Sequence, residues 1–236
     1  MSSRPTFVRL AALALAVLLA LNVDAAQADT ILIDFNDNGT AGFGWNTFHT
    51  GNDGTTQALI LDDGTASGVS ITLPTFNDSA GPGWNFANAL PSWAPASVAN
   101  DYSFFNPFFD GGSQTAQFVL SGLDPAATYT VDFIVSRDLD RDQDFALTHG
   151  GGVATYDDWN SQGDGWLAGS VLTFSGLTAD GANQIVIDIF REGTSAAFNA
   201  MRITSVVIHE PGALALLAPG IGILALRQRR VLLAGC

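Results

Sequence analysis

The chain has 236 residues and a formal net charge of −14, with 23 acidic against nine basic side chains. Such a surface repels nucleic acid and anionic lipid headgroups, which excludes nucleic acid as an expected partner. The single cysteine, Cys236, excludes an internal disulfide.

The first 28 residues have the three parts of a secretory signal peptide. Arg4 and Arg9 form a basic start, residues 10–21 are apolar, and Ala26 and Ala28 supply the small side chains that signal peptidase reads. The apolar run is shorter than the roughly 20 residues that a membrane-spanning helix needs. We therefore expect cleavage after Ala28 and a mature chain that starts at Asp29.

Residues 29–208 have the composition and pattern of a single all-β domain. Short apolar or alternating runs are separated by turn residues rich in Gly, Asp, Asn and Thr, which is typical of a β-sandwich or jelly roll. The aromatic-rich region 77–113 shows no period and is predicted to form long loops. The predicted strands are 31–35, 58–61, 69–73, 117–120, 129–136, 171–174, 185–190 and 201–208.

The segment 121–131 resembles the turn and following strand of fibronectin type III-like domains. In that arrangement a leucine fills the core, and a tyrosine at the strand start bonds back to the loop as a tyrosine corner. The resemblance implies these roles for Leu123 and Tyr129 and supports a sandwich.

The most regular acidic pattern of the chain places Asp138, Asp140, Asp142 and Asp144 at every second residue. Closely spaced carboxylates suit Ca²⁺, which takes six to eight oxygen ligands. The sixth position is Gln143 rather than Gly, so the run is not an EF-hand. If the run is a strand, all four side chains share one face. A solvated acidic loop without metal is the alternative.

Several tryptophans stand in polar surroundings that are typical of sugar-binding loops. Trp84, Trp159 and Trp166 are flanked by Gly, Asn or Asp, and Asp158 directly precedes Trp159. A flat ring beside carboxylate and amide groups can stack on a sugar and bind its hydroxyls. The alternative is that these rings pin long loops onto the sandwich.

No catalytic residue is predicted. The chain contains no Gly-x-Ser-x-Gly elbow, and His49 and His149 are not part of a metal-ligand spacing. A pair of suitably spaced carboxylates would arise by chance among so many aspartates, so their number does not indicate a glycosidase.

The C-terminal tail 209–236 begins with His209, Glu210 and Pro211, continues as the uncharged apolar segment 212–226, and then carries a basic cluster. The cluster consists of Arg227, Arg229 and Arg230. This order resembles the PEP-CTERM sorting signal. The resemblance implies an inner-membrane tether with the arginines in the cytoplasm, followed by cleavage by an exosortase near Pro211. A permanent anchor and a C-terminal core helix are the alternatives.

The domain itself is also similar to β-sandwich domains of PEP-CTERM proteins, which look like carbohydrate-binding modules. This similarity runs from 31–35, through 44–46 and 121–123, to 198–203. It implies an exported protein, first tethered to the inner membrane and then located at the cell surface or outside the cell. The expected role is binding or structural and involves exopolysaccharide. A purely structural matrix protein is the first alternative, and a secreted hydrolase is the second.

Overall fold

The computed structural model describes residues 28–35, 42–49, 54–75, 77–79, 83–99, 102–105, 115–193 and 195–207. These residues belong to one compact unit, Ala28–Val207. The predicted signal peptide before Ala28 and the predicted tail 209–236 lie outside the described residues. Among the residues described, no helix is long and apolar enough to cross a membrane.

The described chain consists almost entirely of strands. The strands are β1 (Ala28–Asp34), β2 (Trp45–Thr47), β3 (Thr56–Ile60), β4 (Ala66–Thr72), β5 (Asn77–Ser79), β6 (Tyr102–Phe105), β7 (Thr115–Ser121), β8 (Ala127–Ile134), β9 (Asp142–His149), β10 (Gly152–Asn160), β11 (Leu172–Leu177), β12 (Gln184–Arg191), β13 (Ala196–Phe198) and β14 (Ala200–Val207). A four-residue helix α1 (Ala96–Ala99) precedes β6, and a π-helical segment (Ser161–Leu167) follows β10.

Two large sheets form a β-sandwich, which confirms the predicted all-β class. The five-stranded sheet has the order β11-β8-β14-β1-β2, and the six-stranded sheet has the order β10-β9-β12-β7-β4-β3. A small third sheet has the order β13-β6-β5. Neighbouring strands of the large sheets are antiparallel, except that β2 runs parallel to β1.

The main core lies between the two large sheets and follows from the alternation of the strands. In β12, Ile185, Ile187 and Ile189 are fully buried, while the residues between them face outward. Burial of each such side chain contributes about 1.5–3 kcal/mol to stability. Phe35 and Phe198 meet edge to face with their ring centroids 5.0 Å apart. This contact brings the end of β1 against the small third sheet.

A second, smaller core covers part of the outer face of the five-stranded sheet. Trp84 and Val98 from the segment 83–99 pack there against Ile134 of β8 and Ala200 of β14. The interpretation of 77–113 as loops alone was therefore wrong, because this region contains β5, α1 and β6. The secondary structure of this region depends on its contacts with distant residues, so its sequence shows no local hydrophobic periodicity.

The tyrosine corner predicted from 121–131 is confirmed. The hydroxyl of Tyr129 accepts a hydrogen bond from the Asp124 amide at 2.6 Å and donates one to the Asp124 carbonyl at 3.2 Å. Leu123 is 1% exposed and fills the core as expected. Burial raises the pKa of Tyr129, so the hydroxyl keeps its proton and its donor role at neutral pH.

Candidate functional site

The acidic run does not form the single row of carboxylates that a strand over its whole length would give. Only Asp142 and Asp144 lie on β9, and Asp138 and Asp140 lie in the loop before it. The side-chain amide of Asn160 donates to the carboxylates of both Asp140 and Asp142. These two carboxylates are thus partly satisfied by an amide from β10.

Asp144 belongs to a different acidic group, formed with Asp158 and Glu192. One carboxylate oxygen from each of these residues lies within 4.8 Å of the others. Repulsion, first from Asp144 and then from Asp158, raises the pKa of the exposed Glu192. Such oxygen atoms are chemically suited to Ca²⁺. Of the four predicted ligands, Asp144 belongs to this group, and Asp138, Asp140 and Asp142 do not.

Two of the three predicted sugar-binding tryptophans are buried. Trp84 is 0% exposed in the second core, and Trp159 is 3% exposed in the main core. The indole Nε1 of Trp159 donates to the carbonyl of Val135 at 3.0 Å. Neither ring offers a face to a sugar, which corrects their selection as stacking residues. Trp84 holds the segment 83–99 against the sheet, as the alternative predicted, whereas Trp159 lies on strand β10 and packs as a residue of the main core.

The other two predicted sugar-binding residues reach the surface in separate environments. Trp166 is half-buried in the π-helical segment, and its carbonyl accepts a hydrogen bond from Asn88 at 3.0 Å. Asp158 is exposed at an irregularity of β10, and its amide donates to Asp144 at 2.8 Å. A sugar-binding role for Trp166 and Asp158 stays a prediction.

A different group of residues forms the most developed surface of the sandwich. Cross-strand pairing aligns five outward-facing positions across the entire five-stranded sheet, one from each strand. Four of these residues, together with Trp93 from the covering segment 83–99, form what we call the tryptophan–arginine patch. In order across the sheet, the aligned positions are Thr173, Asp132, Arg202, Leu32 and Trp45, and Leu32 is the one left out of the patch.

Asp132 holds the guanidinium of this patch in place. Nε and Nη2 of Arg202 donate to one carboxylate oxygen of Asp132 at 2.9 and 2.7 Å. The hydroxyl of Thr173 donates to the other oxygen at 2.6 Å. Asp132 is only 3% exposed, so its charge needs these partners. A buried carboxylate with three charge-assisted hydrogen bonds fixes the direction of Arg202.

The two tryptophans stand beside this guanidinium. The Trp45 and Trp93 rings are stacked with their centroids 6.3 Å apart and an angle of 23° between planes. Cζ of Arg202 lies 5.1 Å from the Trp93 ring centroid, within cation–π range. Both rings pack against the second core but remain half-buried rather than buried. The patch therefore presents aromatic surface beside a fixed hydrogen-bond donor.

Asn46 positions Trp45 at the edge of the sheet. Its side-chain amide donates to the carbonyls of Leu32 and Ile60 at 3.0 Å each, and its oxygen accepts from the Ile60 amide at 2.9 Å. These bonds tie the three-residue strand β2 to both β1 and β3. The short strand thus has a fixed position, and so does the ring beside Asn46.

The sequence contained only a partial signal for this patch. Asp132 stands between Val131 and Phe133, and Arg202 stands between Met201 and Ile203, so alternation puts both charges on outer faces. Their meeting depends on β8 and β14 being neighbours, which is a property of the topology. No short-range feature of the sequence indicates that β8 and β14 pair.

No protein-family model matches the sequence, and no curated protein is similar to it. Among solved structures, the chain is similar to a Paenibacillus xanthan lyase, with 17% identity and a TM-score of 0.37 over 77% of this chain. The match covers 13% of that lyase, so the chain corresponds to a small part of it.

Two carbohydrate-binding modules are also similar in structure. The CBM22-1 xylan-binding domain from Paenibacillus barcinonensis Xyn10C matches with 10% identity and a TM-score of 0.33, over 79% of this chain and 99% of that one. TmCBM61 in complex with beta-1,4-galactotriose matches with 14% identity and a TM-score of 0.33, over 58% and 88%. At these values the similarities assign neither a ligand nor an activity to this chain.

Proposed function

We propose that this domain binds a polysaccharide through the tryptophan–arginine patch. The observation that carries the proposal is the stacked Trp45 and Trp93 pair beside Arg202, whose direction Asp132 fixes. Aromatic rings supply apolar surface for the hydrophobic face of a sugar, and fixed donors bind its hydroxyls. A preorganised site loses less conformational entropy on binding, which favours affinity.

Replacing Trp93 tests this proposal most directly. Trp93→Ala removes one stacking ring and should weaken glycan binding by about 0.5–1.5 kcal/mol, by analogy with aromatic pairs. Trp93→Phe keeps apolar packing with a smaller ring and should have a smaller effect. The measurement is a glycan array followed by calorimetric titration of the best-bound oligosaccharide.

Phe190→Ala is the matched control, because Phe190 is 39% exposed and lies on β12 of the other sheet. This variant should bind glycan as the parent protein does. Melting curves of all variants separate lost binding from lost folding. Equal affinity of the parent protein and a folded Trp93→Ala variant would refute the patch as the binding site.

The export route is part of the same proposal. Residues 1–28 would direct the chain out of the cytoplasm, and the tail 209–236 would hold it in the inner membrane until an exosortase-type enzyme cuts near Pro211. Polysaccharide outside the cell is then the expected partner. Two sequence patterns support this route. At the N-terminus, basic, apolar and small residues follow one another in the order of a signal peptide. At the C-terminus, a Glu-Pro pair, an apolar run and an arginine cluster follow one another in the order of a sorting tail.

A structural role in an extracellular matrix is the second candidate. The burial of Trp84 and Trp159 favours it, because two rings that could have served binding instead stabilise the fold. Under this alternative, neither the parent protein nor the Trp93 variants bind any glycan on the array.

A further inference from the structure

From the surface next to the tryptophan–arginine patch, we infer that the glycan it takes is uncharged and extends over a row of threonines. The inference rests on the proposed function and specifies the ligand class of that site. The threonine row consists of Thr30, Thr204 and Thr130, which are direct cross-strand partners on β1, β14 and β8.

The threonine row lies on the same face as the patch. Thr204 is two residues from Arg202 on β14, and Thr30 is two residues from Leu32 on β1, so alternation directs these side chains to the outer side. The neighbouring inward positions, such as Ile31 and Ile203, belong to the main core. With strands about 4.8 Å apart, the three hydroxyls span roughly 10 Å across the sheet.

The chemistry of this face suits a ligand with hydroxyls rather than carboxylates. A threonine hydroxyl both donates and accepts hydrogen bonds and carries no charge. All three threonines are half-buried, which leaves part of each accessible. In the next row, Val206 and Thr128 are uncharged as well. A neutral sugar chain therefore meets matching groups along this face.

The single cation of the patch does not make it a site for acidic sugars. The charge of Arg202 is already compensated by Asp132 at 2.7 Å. Among the described residues, the hydrogen bonds of Arg202 run from Nε and Nη2 to Asp132, which leaves Nη1 to donate to a sugar hydroxyl. An acidic polysaccharide would approach a chain of net charge −14, and like charges disfavour such an encounter.

The outer face of the six-stranded sheet shows the contrast. There the corresponding positions include Asp142 and Asp144 on β9 and Asp188 on β12, where Asp188 accepts a hydrogen bond from Gln117 at 2.8 Å. The six-stranded sheet thus has three accessible carboxylates on its outer face, whereas the five-stranded sheet has the compensated ion pair and Asp34, which is 0% exposed. Of these two faces, the one that carries the stacked tryptophans is better suited to a neutral chain.

The experiment compares neutral and acidic oligosaccharides of the same linkage on the full chain in mild detergent. The probes are hexamers of glucose, galactose and mannose and their counterparts oxidised to uronic acids at C6. The neutral hexamer that binds best should bind at least about tenfold more tightly than its oxidised counterpart. Equal or tighter binding of the oxidised form would overturn the inference.

Thr204→Val tests the row itself, since it removes a hydroxyl while keeping the shape and β preference of the side chain. It should weaken binding of the neutral hexamer by about three- to tenfold, the value of one hydrogen bond. Thr155→Val, an exposed threonine on β10 of the other sheet, is the matched control and should change nothing. An unchanged affinity of a folded Thr204→Val variant would exclude the row.

The Trp93 variants distinguish an error in the ligand class from an error in the binding site. If Trp93→Ala loses binding while Thr204→Val and oxidation have no effect, the inference fails and the proposed function stands. If no glycan on the array and no hexamer binds, or if a folded Trp93→Ala variant binds like the parent protein, both fail together.

Discussion

Glu192 is the clearest case of an acidic side chain in an unfavourable environment. Its carboxylate faces Asp144 and Asp158, and their repulsion raises its pKa in the folded state. An acid whose pKa is raised by folding destabilises the fold at every pH above that folded value. The penalty is lost as the pH falls through the folded pKa, because the folded protein then takes up a proton.

We predict that Glu192→Gln raises the melting temperature at neutral pH, because it removes one charge from this group. The gain should disappear well below the usual pKa range of glutamate, where the parent side chain is neutral too. Asp63→Asn is a control of opposite sign, since hydrogen bonds from Thr65 lower the pKa of Asp63. That variant should melt earlier at neutral pH. Thermal melts from acid to neutral pH measure both effects, and a lower melting temperature of Glu192→Gln at neutral pH would contradict this account.

Calcium binding by the acidic run stays a prediction, and the geometry directs its test to Asp144, Asp158 and Glu192. Millimolar CaCl₂ should raise the melting temperature of the parent protein, by the linkage between binding and folding. The rise should be smaller in Glu192→Gln, because this variant lacks one of the three carboxylates. NaCl of equal ionic strength is the control for screening. If NaCl gives the same rise, bound calcium is not responsible.

At the scale of single elements, Trp84 and Trp159 form a natural pair for measuring what the tryptophans contribute. Both are buried, but only the Nε1 of Trp159 has a hydrogen-bond partner within the described residues. Trp159→Phe leaves the carbonyl of Val135 without that donor and should cost about 1–3 kcal/mol beyond the lost packing. Trp84→Phe removes a donor that makes no such bond, so its cost should be smaller.

Denaturant unfolding of the two Trp→Phe variants provides the comparison. A larger loss for Trp84→Phe than for Trp159→Phe would show that packing rather than the hydrogen bond decides the difference. Each Trp→Ala variant should lose about 3–5 kcal/mol, the usual cost of removing a large buried ring.

Strands with strong local alternation could be predicted from the sequence, and others could not. β12, with Ile185, Ile187 and Ile189 on one face, and β14 were found close to their observed bounds. The hairpin of β9 and β10 was missed, because aspartates occupy the first two outward positions of β9 and most of β10 is exposed. A buried Gln143 alternates with these aspartates; its side-chain NH2 donates to the Ala197 carbonyl, and its side-chain oxygen accepts from the Ala197 amide. That role depends on a partner strand distant in sequence.

The candidate site was less predictable than the fold for a related reason. The candidate tryptophans were selected because their neighbours in sequence are polar. Trp84 lies between Gly83 and Asn85, yet the fold buries its ring completely. Trp45 and Trp93 meet only because the segment 83–99 folds back over the five-stranded sheet. Exposure and stacking are consequences of tertiary packing, which neighbouring residues do not determine.

At the scale of the whole molecule, the first and last strands of the domain close on each other. β1 and β14 pair antiparallel along their entire described length, from Ala28 opposite Val206 to Asp34 opposite Ala200. Both strands lie inside the five-stranded sheet, and loss of Ala28 with the predicted signal peptide would leave six of the seven β1 residues paired with β14. We therefore predict that residues 29–208 fold without the predicted terminal segments, as a cooperative melt of that fragment would verify. A fragment that lacks this transition would contradict the independence of the domain.

The predicted sorting role of the tail 209–236 can be tested through its membrane retention and its cleavage. Changing Arg227, Arg229 and Arg230 together to Gln should weaken retention in the membrane, because moving arginines through a bilayer costs several kcal/mol. Pro211→Ala should instead leave full-length protein in the membrane, if cleavage depends on the Glu-Pro pair. Pro219→Ala is the matched control for a proline inside the apolar segment 212–226 and should leave cleavage near Pro211 intact. The deciding measurement is the intact mass of protein recovered from the cell surface or medium. A mass that still includes residues 231–236 would rule out processing and make the tail a permanent anchor.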